Sequence, residues 1–398
     1  MNRKILLSCL AAVALPVHAA PFDWQIHGFV SQGFVLTDGN QFFGDAGDDS
    51  FGDSEEGSFE FYEAGINGSV DFGAGFSVAA QGVIRDAGNL DTGKPRLDFG
   101  LLDYRFLRRA DLDMGVRLGR VKNPIGLYND TRDLVFTRPG ILLPQSVYFE
   151  GVGLRNLLFS SDGGQLYGRW SLGEHDLSWT VSGALGFDLS DDDLEQLGGG
   201  SALPPGDVHL DQFYISQVRD DWSTGRVTVA LSHAHARLEL QDSPLPIELS
   251  ARVNLWVLSG RYNAEKWSLT AEYIQTRTSS TDTFSGRSKS ISDGFYVQGD
   301  YRFGPAWSVF ARYDATFSDV HDRDGSERPD DPVNPRPKSG GYAHDYAIGV
   351  NWRYGAHWGV WAEGHVINGT ATVPELDNPD GVDDSHWQLF TIMVSYRF

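Results

Sequence analysis

Much of the chain alternates between apolar and polar side chains. In Trp307-Ser-Val-Phe-Ala-Arg-Tyr-Asp-Ala-Thr-Phe317, one set of alternate positions holds Trp307, Val309, Ala311, Tyr313, Ala315 and Phe317, and the other includes Ser308, Arg312, Asp314 and Thr316. Successive side chains of a strand point to opposite faces, so a period of two predicts strands with one greasy and one ionic side. Tyr342 to Tyr354 repeats the pattern, with Tyr346, Ile348, Val350 and Trp352 set against Asp345, Asn351 and Arg353. So does the last segment, where Phe390, Ile392, Val394, Tyr396 and Phe398 oppose Thr391, Ser395 and Arg397.

Alternation alone also fits a soluble sandwich. Two details favour a membrane barrel. Aromatic residues cluster at strand ends on the apolar face (Trp307 with Phe317, Tyr342 with Trp352 and Tyr354), as girdles at two water–lipid boundaries require. Charges recur in mid-strand on the other face, where a sandwich would need a dry core and a wide barrel supplies water.

Connections set the topology. Tight links at Gly73-Ala74-Gly75, 108–111, 173–176, 220–224, 263–266, Gly304-Pro305 and Gly355-Ala356 alternate with longer polar ones. The longer ones are 38–57, 87–94, the stretch after Val121, 189–207, 241–247, 280–289, 319–341 and 370–384. Short periplasmic turns and long outer loops are the habit of outer-membrane barrels, which favour even strand counts. Counting 152–160 as a wall strand gives an odd number; reading 122–161 as one loop gives about sixteen. The expected fold is all-β: a transmembrane antiparallel β-barrel of about 16 strands, with both ends periplasmic and a long third extracellular loop folded into the lumen.

Ahead of the barrel, Asn2-Arg3-Lys4, the apolar run Ile5 to Leu15 and Val17-His18-Ala19 form a secretory signal. Cleavage after Ala19 leaves residues 20–398 as one domain. It also removes the only cysteine, Cys9, and two cations, taking the formal charge from -22 to -24. A chain so acidic excludes nucleic-acid binding by bulk electrostatics. No second stretch has the roughly 18 apolar residues of a membrane helix.

The signal peptide, the strand rhythm and the ending Val394-Ser395-Tyr396-Arg397-Phe398 together resemble outer-membrane porins. That resemblance implies that Val394, Tyr396 and Phe398 are the signal read by the barrel-assembly machinery, and that the barrel sits among outer-membrane lipid and lipopolysaccharide. Gly119-Arg120-Val121-Lys122-Asn123-Pro124-Ile125-Gly126 resembles the basic stretch of porins related to the phosphate-selective group. It implies a homotrimer with an infolded third loop; phosphate specificity is not carried over.

The 122–161 loop is rich in apolar and aromatic residues, and a structureless loop of this length is usually functional or disordered. Infolding would hide its apolar groups and present Lys122, Arg132, Arg138 and Arg155 to the passage. An outward cap, or a hairpin over a neighbouring subunit, are the other placements. Wall cations Arg85, Arg96, Arg105, Arg117, Arg120 and Arg169 are interleaved with Glu63, Asp98, Asp103 and Asp113. Charged rings set ion preference at close range, so both an anion-selective ring and a transverse field fit. The candidate constriction set is Arg117, Arg120, Lys122, Arg132, Arg138, Arg155, Asp113 and Asp98.

No resident metal or cofactor is expected. Carboxylates crowd the outer loops (Asp45, Asp48, Asp49, Asp53, Glu55, Glu56; Asp191, Asp192, Asp193, Glu195; Asp319, Asp322, Asp324, Glu327, Asp330, Asp331), where divalent cations could bridge them to lipopolysaccharide phosphates. His233 and His235 share a strand face but have no visible ligand partners. Gly-x-Ser-x-Gly, H-E-x-x-H and P-loop motifs do not occur. The expectation is therefore a passive channel and no enzyme, with a plugged adhesion or receptor barrel and a barrel lipid hydrolase as the rivals.

Overall fold

The computed structural model describes residues 23–43, 52–150, 158–189, 194, 206–283, 286–330, 336–378 and 384–398. The expected signal peptide lies outside them, as do Arg155, Asp45, Asp48, Asp49, Asp191, Asp192, Asp193, Glu195 and Asp331.

Sixteen wall strands follow one another in the described chain: β1 (Asp23–Asp38), β2 (Phe61–Gly73), β3 (Phe76–Ala87), β4 (Arg96–Arg108), β5 (Leu112–Lys122), β6 (Ser160–Leu172), β7 (His175–Ala184), β8 (Asp207–Trp222), β9 (Val227–Gln241), β10 (Leu249–Asn263), β11 (Trp267–Asp282), β12 (Gly286–Arg302), β13 (Trp307–Phe317), β14 (Tyr342–Tyr354), β15 (Trp358–Gly369) and β16 (His386–Arg397). A two-residue piece, Phe187–Asp188, carries the line of β7 onto β8. Each strand pairs antiparallel with its neighbours, and β1 closes the cylinder by pairing with both β2 and β16. Phe398 extends that seam, exchanging backbone hydrogen bonds with Gly28 at 3.0 and 3.2 Å.

The two faces differ as the alternation predicts. Ile348 and Val366 stand 66% and 58% exposed on the outside, whereas Glu363 and Trp361, on the opposite phase of β15, are buried. Such an apolar exterior, continuous over all sixteen strands, requires lipid rather than water around it. Trp222, Tyr262, Trp267, Tyr301 and Trp307 ring the short-turn end as one aromatic girdle. No described helix is long and apolar enough to cross a membrane; the strands do the crossing.

One expected loop is a ladder instead. Residues 280–282 and 286–289 continue the β11–β12 hairpin, with Ser279 opposite Lys289, Thr281 opposite Arg287 and Asp282 opposite Gly286. Above the lipid both faces of a hairpin are wet, so the period of two disappears while the hydrogen bonds continue.

The long third connection is structured. It contains short 3₁₀ turns at Asn129–Thr131 and Val135–Thr137 and one helical turn, α1 (Gln145–Tyr148). Two buried apolar clusters join it to the wall. In one, Ile125, Tyr128, Leu143, Val147 and Tyr148 pack with wall residues such as Ile215, Val257 and Ile274. In the other, Val135, Phe136, Ile141 and Leu142 pack with Trp361, Leu389 and Met393. Full burial is worth roughly 1.5–3 kcal/mol per large apolar side chain.

Candidate pore constriction

The third loop leaves β5 at Lys122 and is tied down by inward-facing side chains of distant strands. Glu272 on β11 is the first tie. Its carboxyl accepts the Tyr148 and Tyr296 hydroxyls, each at 2.6 Å, the Ser259 hydroxyl at 2.5 Å and the Leu127 N–H at 3.0 Å. The Tyr148 oxygen in turn accepts the N–H groups of Leu127 and Tyr128 at 2.7 and 3.0 Å. Burial and the neighbouring Glu272 push the Tyr148 hydroxyl up, so it stays protonated and remains a donor. Gly126 sits under this hub at φ +59°, where a Cβ would meet the Tyr148 hydroxyl at 2.3 Å. Only glycine serves there.

The second tie is on β13 to β15. Glu363 accepts the backbone N–H groups of Ile141 and of Leu142, the latter at 3.2 Å. Asp314 receives the Ser146 N–H at 3.3 Å, and Arg312 donates to the Leu142 carbonyl at 3.0 Å. His365 bridges Asp345 (2.9 Å) and Glu363 (3.4 Å) just beside the loop.

The third tie is ionic and lies on β2 to β5. Arg138 pairs with Glu63, and Arg85 reaches Glu63 at 3.3 Å, Glu150 at 3.1 Å and Asp91 at 3.7 Å. Arg132 meets Glu150 at 2.8 Å, and Arg96 meets Asp91 at 2.8 Å. Lys122 binds Asp98 and Asp133, each at 2.5 Å. Burial pushes the Asp133 carboxyl up, but Lys122, with Arg132 and Arg96 behind it, outweighs burial and holds it at about 2. Cations and carboxylates are matched in this cluster because an uncompensated buried charge costs about 3–5 kcal/mol.

The candidate set therefore divides. Lys122, Arg132, Arg138 and Asp98 come together in the ionic tie, where the two arginines are buried with their partners rather than open to water. Arg117 is more exposed. Its Nε donates to Asp103 at 3.0 Å and its Nη1 to Gln165 at 2.7 Å, and it stacks over the Tyr167 ring at 4.3 Å. Tyr167 lies flat because Gly115 beneath it has no side chain: a Cβ there would meet the phenol oxygen at 2.3 Å. Arg120 is in strand phase with the exposed Leu118, not with Arg117, and pairs with Asp162 at 2.8 Å. Asp113 lies nine residues down β5 from Lys122, about 30 Å along the strand, opposite Arg169 and away from the loop. Arg155 is outside the described residues.

On the tip of the loop, Asp130 and Thr131 are exposed. The protein around it pushes the Asp130 carboxyl above its ordinary range, against the pull of Lys122, Arg117 and Arg219 of the wall. On the short-turn side of the loop is a cavity of about 340 Å³ whose lining includes Tyr128, Arg138, Arg261, Asp300, Arg302 and Arg353. Glu272, Glu363 and Arg219 are missing from the candidate set, and Asp314 stands out in the sequence only as one polar position of its strand; each is an inward charge on an alternating strand, indistinguishable by pattern from any wetted wall residue.

Asp53 and Asp322, from the acidic loops, accept hydrogen bonds within their own turns, from Gln41 and the Glu55 N–H and from Ser326 and the Glu327 N–H. Among the described residues no group of three or more metal-ligating side chains could hold an ion. His233 and His235 stand on the outward face, beside Trp256 and Tyr214.

A closed sixteen-strand antiparallel barrel with an apolar exterior, an aromatic girdle at its short-turn end and a long third loop defines a transmembrane barrel of the outer-membrane porin type. No family model matches the chain, and no curated protein is similar to it in sequence. Among solved structures it is similar to the outer membrane channel DcaP of Acinetobacter baumannii, with 12% identity, a TM-score of 0.58 and 95% of this chain and 97% of that one covered. It is also similar to the anion-selective porin from Comamonas acidovorans, with 14% identity, a TM-score of 0.55 and 94% and 99% covered. A trimer form of OmpT, an outer membrane protein of Vibrio cholerae, matches with 8% identity, a TM-score of 0.53 and 95% and 99% covered. These likenesses establish the porin fold.

Proposed function

We propose that this protein is a non-enzymatic porin, a water-filled channel for passive diffusion of small hydrophilic solutes or ions, with the third loop as a fixed partition inside the barrel. The observation that carries this reading is the set of ties from one loop to inward side chains on β2, β11, β13 and β15, which lie around the wall. The open route then runs between exposed Asp130 and Thr131 and the wall bearing Arg117 and Arg219. A carboxylate on the loop facing guanidiniums on the wall makes a transverse field, which orders dipolar and charged solutes as they pass.

Reversal potentials in a salt gradient test the route. Arg117→Gln should move the reversal potential by several millivolts toward cation preference, because one wall charge is removed while Asp130 remains. An unmoved potential in a folded variant would place the route elsewhere.

The two apolar clusters that fix the loop on both sides also favour a second reading, a barrel plugged for adhesion or receptor binding. Planar bilayers separate the two, since a plugged barrel gives no steady conductance steps. Homotrimeric assembly is part of the proposal, supported by the trimer form of the similar OmpT barrel. Native mass measurement in mild detergent should give three copies; monomers alone would exclude it. We further propose that Val394, Tyr396 and Phe398, which share the outward phase of the closing strand, are read by the barrel-assembly machinery.

A further inference from the structure

The long-loop ends of β9 to β12 carry cations on the lipid-facing side. Arg237 is opposite Arg252, Arg252 opposite Ser279, and Ser279 opposite Lys289, in one unbroken row. One row below, Asn254 is opposite Arg277; one row above, Thr281 is opposite Arg287. All five cations share strand phase with exposed apolar residues: Leu231 on β9, Trp256 and Leu258 on β10, Leu269 and Tyr273 on β11, Val297 on β12. Ten residues of β10 separate Arg252 from Tyr262 in the lower girdle. At the usual rise and barrel tilt that is about 25 Å of height, the thickness of the apolar band. The row therefore sits level with the headgroups of the outer leaflet.

The charge balance here runs against the rest of the chain. The two carboxylates in these rows, Asp211 and Glu239, both engage Arg237. Among the described residues Arg277 donates only to Gln275, at 3.0 Å. Among the described residues no ion pair reaches Arg252, Arg287 or Lys289, all of which are exposed. Arg237 and Arg252 stand directly opposite across the ladder, where like charges repel; Asp211 and Glu239 compensate Arg237, and among the described residues no carboxylate pairs with Arg252. Just below, Tyr214 stacks on His235 at 4.8 Å and His233 lies 4.1 Å from Trp256, giving an aromatic floor where sugar and acyl chain meet.

We infer that this shelf binds the phosphate groups of an anionic outer-leaflet glycolipid. Exposed guanidiniums suit phosphate because their N–H groups form a fork that two oxygens can fill. An anion held there would neutralise the row, and its acyl chains would lie along the apolar band beneath.

The test uses the full-length barrel in mild detergent, with native mass spectrometry and quenching of tryptophan fluorescence as readouts. The probe is bis-phosphorylated lipid A, compared with its dephosphorylated form. Two surface cations contribute enough that Arg252→Gln with Arg277→Gln should weaken retention of the bis-phosphorylated form about 30-fold. The dephosphorylated form should be poorly retained by both proteins, and single-channel conductance should not change because the shelf is outside the lumen. Equal retention of the two lipids, or unchanged retention by the double variant, would overturn the inference. So would displacement of the lipid by millimolar inorganic phosphate, since the site would then take a free ion. Should that variant fail to fold, Arg287→Gln with Lys289→Gln asks the same question at the next row.

Discussion

Deletion of residues 128–150 should produce a barrel with conductance steps several-fold larger than those of the intact protein, and with weaker exclusion of large solutes. The deleted stretch carries both 3₁₀ turns, α1 and most of the loop's share of both apolar clusters, which pack against inward-facing wall residues. The strand ladder does not depend on it: β5 pairs directly with β6 from Leu112–Trp170 up to Lys122–Ser160. Carboxyls that lose loop partners, Glu272, Glu363 and Asp314 among them, would then face a wetted lumen, where an unpaired charge costs far less than in a dry cluster. Correct folding is checked by heat-modifiable gel mobility. If the folded deletion conducts like the parent, the loop is not the constriction, and the reading of the site fails with it.

The fold was legible because lipid outside and water inside impose opposite demands on successive residues. Tyr346 and Ile348 had to be apolar and Asp345 and Asn351 could be polar, so the period of two reports the wall directly. It stops reporting where water lies on both sides, which is why 280–289 reads as a loop although Ser280 to Asp282 and Gly286 to Lys289 continue the ladder. The constriction was only half legible. Lys122, Arg132 and Arg138 stood out as cations in an apolar loop, but Glu63, the partner of Arg138, lies on β2, and the acceptors Glu272 and Glu363 lie on β11 and β15, far from the loop in sequence. No spacing along the chain encodes which inward carboxyl meets which loop donor; barrel closure decides it. Isolated inward acids such as Glu272, flanked by outward Ala271 and Tyr273, carry a weak hint, since a wall position that needs only wetting has no preference for a full carboxyl.

That hub is where one atom group should matter most. Both Glu272 oxygens are fully used, one by Ser259 and Leu127, the other by Tyr148 and Tyr296. Glu272→Ala would strand the Tyr148 and Tyr296 phenols and the Ser259 hydroxyl in a dry place, each costing about 1–3 kcal/mol when left without a partner. The loss falls on the loop, not on the wall, because β10 to β12 keep every ladder hydrogen bond around position 272. Limited proteolysis should therefore cut within 123–150 much faster than in the parent while the barrel's own melting temperature moves little. Bilayer traces should become noisy as the freed segment samples positions across the route. Glu272→Gln keeps one acceptor oxygen, enough for the two phenols that the alanine variant strands, so it should recover most of the protection. The expected order of cleavage rates is alanine, then glutamine, then parent. An alanine variant cleaved no faster than the parent would mean that packing of Ile125, Val147 and Tyr148 holds the loop without the hub, and that the hydrogen bonds at Glu272 only follow the packing.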